Sequence, residues 1–247
     1  MYETALALVL RAVHYKESGL ILTVLSAERG KITVSARGAS RKNSPLAAAT
    51  QVLSYSKMTL FVKGDRYYLH EAEPVEVFAG LRADIERMAL AGWFIDLADT
   101  LSVEDVATPE LLALTLGALH AVSSGRYSPA HVKAAFEMRL MALSGFGPGL
   151  EACAVCGEEE IDHPALDLEE GMLLCGACAD GEDVTVISAA TLAALRHTLY
   201  REPKKLYAFT LDEASAAEFG QVAERFLRTH LDGEFPALKF YHSVRTQ

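Results

Sequence analysis

Three observations predict an α+β multidomain chain. The first eighty residues are strand-rich and net basic, the remainder is helix-patterned and acidic, and four cysteines gather between Cys153 and Cys178. The 247-residue chain is 51% hydrophobic and 23% charged, ample for a packed core, which excludes global disorder. Its length allows one or two domains. The longest uncharged stretch, Leu111 to Gly125, holds Thr115, Gly117 and His120. It falls short of the ~18 apolar residues a spanning helix needs. Glu3 stands where a signal peptide requires positive charge, and Arg11 cuts the first apolar run. A cytoplasmic protein without a membrane segment is expected.

The strands come first. Thr4 to Val13 is a β-capable run, and Leu20 to Leu25 is continuously apolar, as in a strand covered on both faces. Ser26 to Gly30 is a turn. From Lys31 to Arg37 the pattern alternates: Lys31, Thr33, Ser35 and Arg37 on one face, Ile32, Val34 and Ala36 on the other. A loop of small and basic residues, Gly38 to Pro45, precedes a run from Val52 to Val62. Lys63-Gly64-Asp65 is a hairpin turn and Arg66 to Glu71 returns. Five short strands predict a small barrel, an OB-fold in the first place and an SH3-like barrel as the alternative.

At Pro74 the texture changes. Leu81, Ile85, Met88, Trp93, Ile95 and Leu97 recur at helical spacing over 81–101. A second helix covers 109–122 with Thr108 as N-cap and Pro109 in the first turn. Ser128 caps a third, which runs from Ala130 to Leu143 and stops at Gly145. Ser188 opens a helix to Tyr200. Asp212 caps the last, with Phe219, Val222, Phe226 and Leu227 as its apolar stripe. The expected domains are a barrel over 1–80, a helical domain over 81–150 and 180–247, and an inserted cysteine module over 151–179.

Cys153-x2-Cys156 and Cys175-x2-Cys178 are separated by eighteen residues, the spacing of a four-cysteine zinc site. Two intervening residues let one tight turn aim both sulfurs at one ion, and Gly157 and Gly176 stand where such turns need a permissive backbone. Four thiolates leave no position for water, so one Zn²⁺ per chain is expected in a structural role. Four buried or disulfide-paired cysteines are the competing reading. His163 is nearby but surplus to a filled tetrahedron.

Residues 1–80 carry ten Lys/Arg and seven Asp/Glu, net +3, whereas 81–247 is net −13. Such asymmetry points to a polyanion partner for one part of the chain. Arg29, Lys31, Arg37, Arg41 and Lys42 are the centre of the basic head, and Glu28 is the sole acid between residues 18 and 64. Lys57, Lys63 and Arg66 extend the set. With Tyr15, Tyr55, Phe61, Tyr67 or Tyr68 as stacking platforms, these cations are expected to form a cationic groove wall that contacts phosphates, the combination single-strand binders use. A solvated face with the aromatics in the core is the competing reading.

Catalytic patterns are missing. No GxSxG, HExxH or P-loop occurs, and the eight histidines are dispersed. Gly145-Phe146-Gly147-Pro148-Gly149 follows a helix rather than a strand, so it reads as a hinge into the cysteine module. Glu158-Glu159-Glu160 and Glu169-Glu170 read as solvated loop tips. No enzymatic activity is expected.

Phe136-Glu137-Met138-Arg139-Leu140, Gly145-Phe146-Gly147-Pro148, Cys153-Ala154-Val155-Cys156-Gly157 and Gly171-Met172-Leu173-Leu174-Cys175-Gly176-Ala177-Cys178 stand in one register. Together they resemble the bacterial recombination mediator family RecO. The N-terminal half agrees through Leu8-Val9-Leu10-Arg11, Ala36-Arg37-Gly38 with Arg41-Lys42, and Leu69-His70-Glu71-Ala72-Glu73. So does Phe226-Leu227-Arg228-Thr229-His230-Leu231 near the end. The resemblance implies an N-terminal OB-fold, a helical domain and a zinc module. It also implies binding of single- and double-stranded DNA and annealing of complementary strands. RecR is the implied partner in loading RecA onto DNA covered by single-strand-binding protein, with RecF and the RecA filament as further partners and a nucleoid-associated location. The family often has two glycines before the third cysteine; Glu170-Gly171 leaves one.

Three other classes compete, one of them a purely structural adaptor with no DNA contact. An OB-fold accepts RNA as readily as DNA, so an RNA-binding protein of translation or RNA processing is the runner-up. A zinc-dependent nucleic-acid hydrolase would need an open metal position or a carboxylate cluster, and the sequence offers neither.

Overall fold

The computed structural model describes residues 1–179 and 184–245. It divides into two compact units, Met1–Ser124 with Pro236–Gln247, and Gly125–Phe235.

The first unit is built on a closed five-stranded barrel: β1 Tyr2–Tyr15, β2 Gly19–Ser26, β3 Gly30–Ala36, β4 Tyr55–Lys63 and β5 Arg66–Glu76. The strand order is β1-β2-β3-β5-β4, with β4 returning to β1. All neighbours are antiparallel except β3 and β5, which pair in parallel at Val34–Tyr67 and Ser35–Tyr68. That order is the Greek-key OB barrel, not the SH3-like alternative. The alternation of β3 is realised: Ile32, Val34 and Ala36 are buried and Thr33 is exposed. They meet Ala5, Ala7, Val9, Leu22, Val24, Met58, Leu60 and Leu69 in the barrel interior.

Two strand limits differ from expectation. β1 extends to Tyr2 and Tyr15 because it serves two partners, β4 through its first half and β2 through its second. β4 begins at Tyr55 rather than Val52: Leu53 has φ +70° and its amide donates to the Val9 carbonyl, so the chain is still turning there.

Three helices belong to the same unit: α1 Ile85–Leu101, α2 Pro109–Ser124 and α6 Pro236–Val244, the last of six α-helices among the described residues. The compact unit therefore does not end near residue 80. Leu8 and Leu25 form a cross-strand pair that alternation points away from the barrel interior, yet both are fully buried. The reason is that α1 lies against β1 and α2 against β2. Asp84 caps α1, accepting from the amides of Glu86 and Arg87, and splits the expected 81–101 helix from a 3₁₀ turn at Ala79–Ala83. α6 packs on α1, burying Leu238 and Tyr241. Thr108 caps α2 only through its carbonyl, which accepts from the Leu112 amide; its buried hydroxyl has no partner among the described residues.

The second unit contains α3 Pro129–Leu143, α4 Ala189–Tyr200 and α5 Glu213–His230, with α3 packed on both others and α4 on α5. The three expected caps are present: Ser128, Ser188 and Asp212 accept from the amides of His131, Thr191 and Ser215. α3 ends at Gly145 in a Schellman pattern, with Gly145 and Phe146 amides donating to Ala142 and Met141 carbonyls. The α5 stripe Phe219, Val222, Phe226 and Leu227 is buried as expected. Lys133 on α3, nearly buried, bridges Glu137 at 2.9 Å and Glu224 of α5 at 2.8 Å. Between α3 and α4 lies a small sheet of order β7-β6-β8: β6 Ala165–Asp167, β7 Met172–Leu174 and β8 Val184–Val186. The segment read as a hinge is attached to it, since Gly149 exchanges hydrogen bonds with Gly171 and Leu173.

The β2–β3 turn carries a steric demand. Gly30 has φ +61°, and a Cβ there would lie 1.8 Å from the Val106 carbonyl oxygen. Gly64, in the β4–β5 turn, has φ +58° but open space around it. Gly64→Ala therefore costs about 1 kcal/mol, the left-handed backbone alone. Gly30→Ala costs more than about 2 kcal/mol, because backbone must also move. Denaturant unfolding of the two full-length variants checks the difference; equal losses would contradict it.

Candidate nucleic-acid interface and metal centre

A groove of about 1240 Å³ opens on the barrel surface. Its walls are the β1–β2 loop (Tyr15 to Gly19), the faces of β2 and β3 at Ile21, Thr33 and Ser35, and the β4–β5 turn at Asp65 and Arg66. This is the side of an OB barrel that oligonucleotides and oligosaccharides occupy.

Four cations line it: Lys16, Arg37, Arg41 and Arg66. The Arg37 guanidinium sits 5.6 Å from the centre of the Tyr68 ring, and the Lys16 ammonium 5.2 Å from that of Tyr15. Both are cation–π arrangements that keep the charge exposed. Arg41 Nε donates to Ser18 Oγ at 3.3 Å, which joins the loop after β3 to the β1–β2 loop. Glu17 and Asp65 are the acids of the lining.

Of the eight cations singled out by sequence, the structure brings Arg37, Arg41 and Arg66 together in the groove. Lys42 is exposed on the same loop as Arg41 but does not line it. Lys63 is exposed at the β4–β5 turn, paired across it with Arg66. Lys57 lies on the outer face of β4, between Leu6 of β1 and Glu73 of β5. Arg29 and Lys31 are occupied elsewhere. Arg29 donates to Glu3 at 2.9 Å, and that hydrogen bond raises its pKa. Lys31 donates to the Asp99 carbonyl at 2.7 Å and pairs with the Asp99 carboxylate at 3.2 Å, clamping β3 to α1. Lys16 is not among the eight. Its signal is position: it follows Tyr15 at the mouth of the β1–β2 loop.

The aromatics separate likewise. Tyr15 and Tyr68 face the groove, Tyr15 being 49% exposed. Tyr67 borders the groove, but its ring is buried and its hydroxyl donates to Asp105 at 2.9 Å. Burial and that carboxylate push its pKa up. Tyr55 is half-buried on β4, opposite Leu8, and Phe61 lies on the outer face opposite Tyr2.

In the second unit the four cysteine sulfurs lie within 4.8 Å of one another, and none forms a disulfide. Cys156 and Cys175 sulfurs are 3.8 Å apart. A tetrahedron with metal–sulfur bonds of about 2.3 Å has edges of about 3.8 Å, so the donor set fits a metal ion. The first pair sits on a turn closed by the Gly157 amide donating to the Cys153 carbonyl at 2.9 Å, with Gly157 at φ +78°. The second hangs from the end of β7, closed by the Cys178 and Ala179 amides on the Cys175 carbonyl. Gly176 needs no left-handed backbone; it is small because His163 Cβ would stand 3.0 Å from a side chain there. His163 is not part of the cluster. The acidic runs at 158–160 and 169–170 are exposed.

Backbone amides of Cys156 and Cys175 pull the Cys153 thiol down to about 6, whereas hydrogen bonding with the Cys175 and Cys156 sulfurs pushes the Cys178 thiol up to about 12. Crowded sulfurs resist collecting four negative charges alone; a divalent cation removes that resistance.

The chain thus combines an OB barrel bearing a cationic, tyrosine-flanked groove with a helical unit whose four cysteines are arranged as a metal ion would need them. The chain matches the family model "Recombination protein O N terminal" over residues 1–78 and "Recombination protein O C terminal" over 82–239. It is 35% identical over 244 residues to the DNA repair protein RecO of Anaeromyxobacter dehalogenans, covering 96% of this chain and 94% of that one. It is 32% identical over 244 residues to that of Desulforudis audaxviator (98% and 97% covered) and 29% identical over 238 residues to that of Acetivibrio thermocellus (96% and 95% covered). The chain belongs to the RecO family of DNA repair proteins. No helix among the described residues is long and apolar enough to cross a membrane.

Full-length protein purified without chelators is expected to carry one metal ion per chain by elemental analysis. Cys175→Ser loses the ion, lowers soluble yield and opens the 151–179 segment to limited proteolysis. Metal-free wild-type protein with four intact thiols would contradict the assignment.

Proposed function

We propose that this chain is a DNA-binding recombination mediator. It binds single- and double-stranded DNA through the barrel groove, anneals complementary strands and, with RecR, helps load RecA onto DNA covered by single-strand-binding protein. The observation that carries the DNA reading is the convergence of Lys16, Arg37, Arg41 and Arg66 on one groove with Tyr15 and Tyr68. Cations contact phosphates without reading sequence, and exposed rings accept any base. Annealing requires two phosphate backbones to be neutralised so that complementary bases meet, which such a groove serves. The reading assigns no catalytic step. RecR, RecF, RecA and single-strand-binding protein enter from membership in the family and act at the nucleoid.

Residues 125–235 hold nine Lys/Arg against nineteen Asp/Glu. That charge disfavours DNA contact and favours protein partners. The metal is Zn²⁺ in a structural role: four sulfur donors fill a tetrahedron and leave no open position for chemistry.

If the four groove cations each touch a phosphate of one strand, log K against log salt falls with a slope near about −3. Reversing charge with Arg37→Glu and Arg41→Glu together flattens the slope by about one to two units and abolishes annealing in folded protein. Lys31→Met leaves the slope unchanged, because that ammonium is spent on Asp99. Filter binding of full-length variants to unrelated oligomers across a salt series measures all three. An unchanged slope in the double variant would contradict the groove assignment.

A further inference from the structure

Outside the groove, the barrel surface carries a row of rings. Tyr2 stands opposite Phe61 across the β1–β4 pair, and Phe61 opposite Tyr68 across the β4–β5 pair. Their centroids are 5.2 Å and 6.5 Å apart, and His70 is 5.1 Å from Tyr2. The rings are not surplus core: Ala5, Met58, Leu60 and Leu69 fill the interior beneath them. Tyr2 is 59% exposed and Phe61 37%. Large rings grouped in the open mark a contact surface more often than chance.

Two features of the row indicate what it contacts. First, Tyr68 belongs both to the row and to the groove lining, and carries Arg37 over its ring. The row is therefore continuous with the groove. Second, the row ends beside the β4–β5 turn, where Lys63 and Arg66 face each other across the strands, both exposed. The acids close by are Asp65 in that turn and Glu71, which approaches His70 at 3.9 Å. Flat rings flanked by cations suit unpaired bases on a phosphate backbone.

We propose that Tyr2, Phe61 and Tyr68, bordered by His70, form a base-stacking platform for single-stranded polynucleotide that leaves the groove at Tyr68. The proposal rests on the groove reading and deepens it. Bases in a duplex are stacked on one another and do not reach the rings, so the platform adds affinity for single strands alone. It thereby gives the protein a preference for single strands that the groove cations cannot supply.

The test uses full-length protein and fluorescence anisotropy with a short single strand of about eight nucleotides, a long one of about twenty, and a duplex. Tyr2→Ala with Phe61→Ala weakens the long strand at least about fivefold, the low end for one lost stacking contact. The short strand and the duplex stay within about twofold, and Phe61→Tyr restores part of the loss. A bromodeoxyuridine strand crosslinked to wild-type protein by ultraviolet light joins peptides containing Tyr2 or Phe61, a readout independent of how the variants fold. Wild-type affinity of the double variant for the long strand overturns the proposal, as does crosslinking confined to the groove. Equal losses on all three ligands also overturn it, as does sedimentation showing that the rings join two copies of the chain. Wild-type protein that binds no single strand at all defeats the groove reading itself, a different result from each of these.

Discussion

The parallel pairing of β3 with β5 is only two residues long, Val34 with Tyr67 and Ser35 with Tyr68, and the arrangement of the groove follows from it. It brings the end of β3 beside the start of β5, so Arg37 arrives over the ring of Tyr68. It sets the inward and outward assignment of the two tyrosines: Tyr67 is buried and donates to Asp105, and Tyr68 faces the groove. A slip of one residue would exchange them, because side chains alternate with period two. The pairing holds because β1 closes the other side, hydrogen-bonded to β4 and β2 in turn. With both seams closed, the β1–β2 loop and the β4–β5 turn stand on the same side and the cations they carry converge.

Five cations of the basic head divide between two roles. Arg29 and Lys31 stabilise the unit: one ties the β2–β3 turn to Glu3, the other ties β3 to the end of α1. Arg37, Arg41 and Arg66 make no salt bridge among the described residues and keep their charge at the groove. The 102–106 segment contributes to the same closure, since the Asp105 amide donates to the Lys31 carbonyl and Gly30 makes room for Val106. The four-cysteine cluster belongs to a different compact unit from the groove.

What sequence reveals and what it hides follow from range. The alternation in β3, the caps Ser128, Ser188 and Asp212 and the two CxxC turns are local patterns, and all are legible. The fates of Lys31 and Arg29 are not, because Asp99 and Glu3 lie 68 and 26 residues away. A lysine on the open face of a strand looks the same whether a helix end or a phosphate awaits it. The helical cover of the barrel is hidden for a related reason: nothing local to Leu8 or Leu25 shows that α1 and α2 lie against their strands. Helix α6 offers only Pro236 and two buried apolar side chains in nine residues, and the strands β6 to β8 are three residues each. Thr108 shows that a good cap residue in the right place can still leave its hydroxyl without a partner.

Hydrogen exchange on full-length protein with and without a saturating single-stranded oligomer tests the central claim most directly. Slowed exchange is expected in three stretches that are separate in sequence: the β1–β2 loop through Ile21, the end of β3 through Arg41, and the start of β5 at Arg66 to Tyr68. Slowed exchange confined to residues 125–235, with those three stretches unchanged, would contradict the account.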